Sequence, residues 1–197
     1  PGEITLAHRG VLFLDEFPEF PRGVLESLRQ PLEDGIVTVS RASGTVVFPA
    51  KFVLAAAQNP CPCGYYGDSE RPCTCTPTQV LQYHKKISGP LLDRIDLHVS
   101  VPRLKFAELS GHVPGVATSA EVKARVESAR ATAAFRLGGH RVNGEMQLRD
   151  VRKHCKLGPE AEALLEKATT KYGFSGRSYH RILKVARTIA DLAGSED

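Results

Sequence analysis

Two short, wholly apolar runs, each closed by polar residues, limit what this chain can fold into. Val11-Leu12-Phe13-Leu14 ends in Asp15-Glu16, and Phe52-Val53-Leu54-Ala55-Ala56-Ala57 ends in Gln58-Asn59-Pro60. Runs without polar alternation suit central strands of a parallel sheet, buried on both faces under helices. In open α/β sheets the ligand lies beyond the carboxyl ends of such strands, so both runs deliver polar groups to one edge. The chain has 197 residues, room for one large domain or two small ones. With 42% hydrophobic and 24% charged residues it is neither disordered nor collagen-like. No apolar run approaches the roughly eighteen residues that a membrane span needs.

Charge divides the chain. Residues 1–101 carry 9 Lys and Arg against 11 Asp and Glu, net −2, and residues 102–197 carry 17 against 11, net +6. A mildly acidic half joined to a basic half suggests two modules, the second either facing a polyanion or presenting a solvated basic helical surface. The opening Pro1-Gly2-Glu3 has no initiator Met, so a piece of a longer protein is expected.

Between the two runs, residues 22–32 space Val24, Leu25, Leu28 and Leu32 as a helix does, and Asp34-Gly35 stops it. Ile36-Val37-Thr38-Val39-Ser40 and Thr45-Val46-Val47-Phe48 then flank Arg41-Ala42-Ser43-Gly44 as a β-hairpin. A further strand is expected at 97–101, closed by Pro102, followed by a linker rich in Gly, Pro and Ser over 103–118. Helices alone follow: one capped by Ser119 and running to about Phe135, then 148–154, 159–172 and 177–192. In the first, Val122, Val126 and Ala129 share a face; in the last, Ile182, Val185, Ala186 and Ile189 form the apolar stripe.

Adjacent carboxylates at the end of a buried strand can divide a task. Asp15 can hold a metal through water while Glu16 polarises an attacking water, the Walker B pattern of nucleotide hydrolases; an acidic helix cap is the plainer reading. Asn59, at the matching end of the second run, can orient that water or touch a terminal phosphate, or simply begin the turn before Pro60. Arg94, in Leu91-Leu92-Asp93-Arg94, stands where an arginine finger reaches a neighbouring subunit's nucleotide. A surface pair with Asp93 or Asp96 is the alternative on spacing alone. Arg177, near the start of the last helix, sets a cation against the helix dipole, which favours anions there. Arg41 at the hairpin tip and Lys85-Lys86 offer contacts to a phosphate backbone, or ordinary solvated charge.

Four of the five cysteines lie within fifteen residues as Cys61, Cys63, Cys73 and Cys75. C-x-C-x₉-C-x-C, interrupted by Gly64, Gly67 and Pro72, can fold around one tetrahedral Zn²⁺; free thiols and disulfides are the alternatives. A closed four-thiolate site is structural, with no open position for chemistry. Cys155 has no partner in sequence and reads as a plain thiol.

These stretches together resemble one family. The run from Gly2 through Asp15-Glu16-Phe17 is similar to the Walker B region of magnesium-chelatase-like AAA+ ATPases of the YifB/ComM group. So are Leu28-Arg29-Gln30-Pro31-Leu32-Glu33-Asp34-Gly35, Asn59-Pro60-Cys61-Pro62-Cys63-Gly64 and Ser88-Gly89-Pro90-Leu91-Leu92-Asp93-Arg94-Ile95-Asp96. The final helix from Ser178 to Leu192 resembles the group's C-terminal domain, and the motifs fall in family order over nearly the whole chain.

The resemblance implies an α/β fold: part of an AAA+ P-loop parallel sheet with a β-hairpin insert over residues 1–102, then an all-α C-terminal lid over 119–197. It implies a cytoplasmic ATPase that assembles as a hexameric ring, uses ATP and Mg²⁺, and acts on single-stranded or branched DNA, as helicases of branch migration in natural transformation do. By position, Asp15 and Glu16 correspond to Walker B, Asn59 to sensor 1, Arg94 to the finger and Arg177 to sensor 2. Asp15, Asn59 and Arg177 would then contact nucleotide and its metal. The helix and hairpin at 22–48 correspond to the helix-2 insert that faces the ring pore. The family's Gly-Lys-Ser/Thr loop is missing from these residues, so this stretch alone is expected to bind nucleotide poorly and hydrolyse essentially none. Two other functions remain open: an ATPase subunit driving metal insertion into a porphyrin, and a non-enzymatic zinc-bearing interaction module.

Overall fold

The computed structural model describes residues 2–42, 44–104, 115 and 117–195. The chain divides into two compact units, residues 1–103 and 104–197. The linker expected at 103–118 falls mostly outside the described residues, as does Ser43 in the hairpin turn. Among the described residues no helix is long and apolar enough to cross a membrane.

The first unit is α/β. A short helix α1 (Glu3–Leu6) leads into strand β1 (Val11–Leu14). Helices α2 (Arg22–Ser27) and α3 (Arg29–Asp34) follow, then strands β2 (Ile36–Arg41), β3 (Gly44–Pro49) and β4 (Val53–Ala56). Helices α4 (Pro77–His84) and α5 (Gly89–Leu92) complete it. β1 pairs with β4 in parallel, in register from Val11 opposite Val53 to Leu14 opposite Ala56. β2 and β3 form the expected antiparallel hairpin, extended to Arg41 in the first strand and to Gly44 and Pro49 in the second, with Arg41 opposite Gly44.

The parallel pair is buried on one face only, which corrects the expectation of two covered faces. Alternate side chains of a strand point to opposite faces. Leu12 and Leu14 pack on the cluster of Phe17, Leu25, Leu28, Ile87 and Leu91, whereas Val11, Phe13 and Val53 are each 63% exposed. Among the described residues, α2, α3 and α5 cover the Leu12 side alone.

The helix expected over 22–32 is two helices joined at Leu28. Pro31 explains the break: it has no N–H to give, and its ring opposes the carbonyl four residues earlier, at Ser27. No strand forms at 97–101 among the described residues, where Leu97, Val99 and Val101 are 66%, 79% and 83% exposed. The alternation there is that of a strand, but a strand exists only where a partner accepts its ladder of hydrogen bonds.

The second unit is all helical: α6 (Ser119–Leu137), α7 (Leu148–His154), α8 (Pro159–Tyr172) and α9 (Gly176–Ala193). Its cap is Thr118 rather than Ser119: the Thr118 hydroxyl accepts from the Glu121 amide, and the Glu121 carboxylate accepts from the Thr118 amide. Met146, Val151 and Leu183 form the core, with Cys155 packed against them. Burial pushes the Cys155 thiol up, in keeping with an inert core residue.

The stripe expected on α9 is not its buried face. Leu183, Arg187 and Asp191 are buried, while Ala186 is exposed and Ile189 is 61% exposed. Asp191, its side chain 1% exposed, accepts hydrogen bonds from Arg187 Nε (3.1 Å), Asn143 Nδ2 (2.7 Å) and Arg136 Nη1 (3.0 Å). A polar network, not an aliphatic seam, fastens α9 to α6.

Candidate functional site

The strand ends meet at one edge. Ala57 N–H donates to Leu14 O at 2.9 Å, and Phe17 N–H donates to Ala57 O at 2.9 Å. Asp15 and Glu16 are carried on the step between those two bonds, beside the segment Ala57-Gln58-Asn59. Phe17 and Pro18, both buried, anchor the chain directly after the acid pair. Pinned on both sides, Glu16 adopts φ 49°, ψ 43°, a left-handed conformation that costs a non-glycine residue about 1–2 kcal/mol. Its N–H donates to Asp15 Oδ1 at 2.8 Å. Both acids and Asn59 are exposed at this edge. The backbone of Asn59 hydrogen-bonds the phenol of Tyr83, which is only 4% exposed and whose pKa burial raises.

Tyr83 belongs to α4, a helix that hydrophobic spacing does not announce. Its signal lies in Thr76-Pro77-Thr78-Gln79: the Gln79 amide donates to Thr76 Oγ1 at 3.3 Å and Thr76 N–H donates to Gln79 Oε1 at 2.8 Å.

Between Asn59 and α4 lies the cysteine loop. Cys61, Cys63, Cys73 and Cys75 bring their sulfurs within 4.8 Å of one another. Sγ separations are 3.3 Å for Cys61–Cys63, 3.5 Å for Cys63–Cys73 and 3.7 Å for Cys61–Cys73. No disulfide joins them. A tetrahedron with metal–sulfur bonds of about 2.3 Å has edges of about 3.8 Å, so the quartet fits one Zn²⁺. Gly64 (φ 83°) and Gly67 (φ 82°) supply the left-handed turns that fold the loop. Asp68 Oδ1 braces it by accepting from the Glu70 and Arg71 amides at 2.7 and 2.8 Å.

The thiols are electrostatically divided. Backbone hydrogen bonds from Tyr65 and Thr74 hold Cys63 down at about 5. Cys73, although the Cys75 backbone pulls it down, is pushed up to about 12 by burial and by the thiols of Cys63 and Cys61. Four bare thiolates repel in so small a volume, and a divalent cation removes that repulsion.

Arg94 is turned toward its own unit. Its Nη2 forms an ion pair with Glu33, 61 residues earlier, and its Nη1 donates to Pro90 O at 2.5 Å. Nothing in the sequence links the two residues; only the packing of α3 beside α5 does. Lys86 is likewise engaged, 2.8 Å from Glu19 and 5.3 Å from the Tyr83 ring centre. With Arg22, Phe20 and Lys85 it lines a shallow cavity of about 400 Å³. Arg41 is exposed at the end of β2. Arg177 lies in the second unit, in the first turn of α9, whose cap is Ser175 accepting from the Ser178 amide at 3.2 Å.

Comparison with known proteins identifies the family. The family described as magnesium chelatase, subunit ChlI, matches residues 1–109, and its C-terminal counterpart matches residues 116–197. The chain is 46% identical over 196 residues to Competence protein ComM of Haemophilus influenzae, covering 100% of this chain and 38% of that protein. It is 45% identical over 197 residues to the uncharacterized protein YifB of Escherichia coli, again covering 100% and 38%. To YifB of Salmonella typhimurium it is 44% identical over 193 residues, covering 98% and 37%. The chain thus spans well under half the length of the curated relatives it matches. With an acid pair at a parallel strand end, an amide beside it and family matches over both units, this chain belongs to the magnesium chelatase ChlI family.

Proposed function

We propose that this chain is the acid-bearing part of a ring-forming AAA+ ATPase, and that the whole protein couples ATP hydrolysis to the remodelling of DNA. The observation that carries the reading is the parallel pairing of β1 with β4, which sets the segments bearing Asp15, Glu16 and Asn59 at the same ends of neighbouring strands. The donor set suits the group. Carboxylate oxygens are hard ligands of the kind Mg²⁺ prefers, whereas the nearby thiolates are soft and select Zn²⁺.

Bound Mg²⁺ supplies charge neutralisation at the phosphates. Asp15, its carboxylate oriented by the Glu16 amide, would hold that metal. Glu16 polarises the attacking water, and the Asn59 amide orients it. Arg94 and Arg177 bring positive charge to the terminal phosphate, Arg94 from the neighbouring subunit of a hexameric ring. The cysteine quartet would hold one structural Zn²⁺ and so order the loop between Asn59 and α4.

DNA is favoured as the substrate because the Haemophilus influenzae relative is named for competence, and because the exposed hairpin presents Arg41 as a sequence-independent backbone contact. The family description itself supports the second reading, an ATPase subunit of a metal chelatase. One experiment separates them: ATP hydrolysis by the full-length protein, measured with and without single-stranded and branched DNA. Stimulation by either DNA is expected; a rate indifferent to both overturns the DNA reading and leaves the chelatase one.

A further inference from the structure

An arginine that serves a neighbouring subunit has to reach out of its own. Arg94 does not: its side chain is 12% exposed, and its guanidinium is turned back onto Glu33 and the carbonyl of Pro90. Its Nε is buried without a hydrogen-bond partner. The guanidinium is one rigid planar fork, so donors committed to Glu33 are not free for a phosphate at the same time. The unused Nε shows that this resting place does not satisfy the fork completely, and a phosphate, as a multiply charged acceptor, competes for it well.

Glu33 is placed to respond to the hairpin. It lies in the last turn of α3, and β2 begins at Ile36 with only Asp34 and Gly35 between. That junction has no slack. Gly35 N–H donates to Pro31 O at 2.9 Å, Ala50 N–H donates to Gly35 O at 2.8 Å, and Gln30 Nε2 donates to Thr38 Oγ1 at 3.3 Å. Helix α3 also shares its core with α5, through Leu28 and Leu32 on one side and Leu91 and Leu92 on the other. The hairpin is thus bonded directly to α3, and the Glu33–Arg94 pair spans the contact between α3 and α5.

We propose that Glu33 is a positioning residue that latches Arg94 inside its own subunit, and that a polyanion engaging the β2–β3 hairpin releases it to the neighbouring nucleotide. The latch rests on the reading of Arg94 as a finger. It makes hydrolysis depend on cargo: without a load, the arginine stays paired in its own subunit; with one, it becomes available to the next.

The test is steady-state ATP hydrolysis by the full-length protein with and without a single-stranded oligonucleotide. Glu33→Gln should raise the DNA-free rate about 5-fold or more, with KM for ATP little changed and the stimulation ratio falling toward one. Glu33→Asp, which keeps the charge, should restore dependence on DNA. Thr38→Val, which removes the hydroxyl that joins the hairpin to α3, should lessen stimulation at an unchanged DNA-free rate. That variant reads the coupling even if Glu33→Gln fails to fold. A Glu33→Gln enzyme with unaltered rates, or one as impaired as Arg94→Ala, overturns the latch. Full activity of Arg94→Ala instead overturns the finger reading itself.

Discussion

Glu16 is one of two described non-glycine residues with positive φ, the other being Arg9 at 63°. Strain of this kind persists where the surroundings over-determine the backbone, and it clusters at functional sites. Here the surroundings are explicit: Leu14 is tied into the sheet and Phe17 into the core. Substitution by glycine separates the two roles of the position. Glu16→Gly removes the group that polarises water and should lower kcat of the full-length protein by about 10²–10⁴-fold. The same change relieves the left-handed strain, so the thermal midpoint should hold or rise. A falling midpoint would show that the side chain serves the fold instead. The apolar run and the acid pair were legible in sequence, but the left-handed twist was not, because it arises from anchors on both sides of Glu16 rather than from the residue itself.

At the scale of elements, α9 shows why a pattern can identify a helix and mistake its face. Ile182, Val185, Ala186 and Ile189 have helical spacing, yet the buried row is Leu183, Arg187 and Asp191. Charged residues enter a core only when paired, and the partners of Asp191 come from Arg136 on α6 and Asn143 before α7, 55 and 48 residues away. Burial pushes the Asp191 carboxyl up, but hydrogen bonds from Arg136 and Asn143 outweigh it, and the net effect lowers its pKa. A lowered carboxylate pKa contributes stability that is fully present above the unfolded value of about 3.9 and is lost as pH falls through the folded value. The second unit should therefore keep its stability from neutral pH to about 5 and lose it below about 4. Asp191→Asn should cost about 3–5 kcal/mol at neutral pH by stranding Arg136 and Arg187, and should flatten the acid limb. Denaturant melts at several pH values check both. An Asn variant as stable as the parent would show that the network is not what holds α9.

At the scale of the whole molecule, the two units have different sources of order. The second is closed by helix packing and the Asp191 network, whereas the first joins the Phe17, Leu25, Leu28, Ile87 and Leu91 core to a cysteine loop with little apolar core of its own: of residues 57–76, only Cys61 is buried. Binding energies of about 10–16 kcal/mol for structural zinc are ample to fold such a loop. Purified protein should carry about one zinc per chain. Chelation under reducing conditions should lower the calorimetric transition of the first unit and leave that of the second in place. A metal-free preparation with both transitions intact would dismiss the metal. What the sequence determined by itself was local and periodic: apolar runs that must be strands, caps and prolines that start helices, four cysteines at a spacing one ion can gather. Pairing across distance came from packing alone. Glu33 met Arg94, Asp191 met Arg136, and the strand-like stretch at 97–101 found no partner among the described residues. The physical reason is that backbone preference acts between neighbours in the chain, whereas a buried charge or a strand edge is stabilised only by the group that packing brings to it.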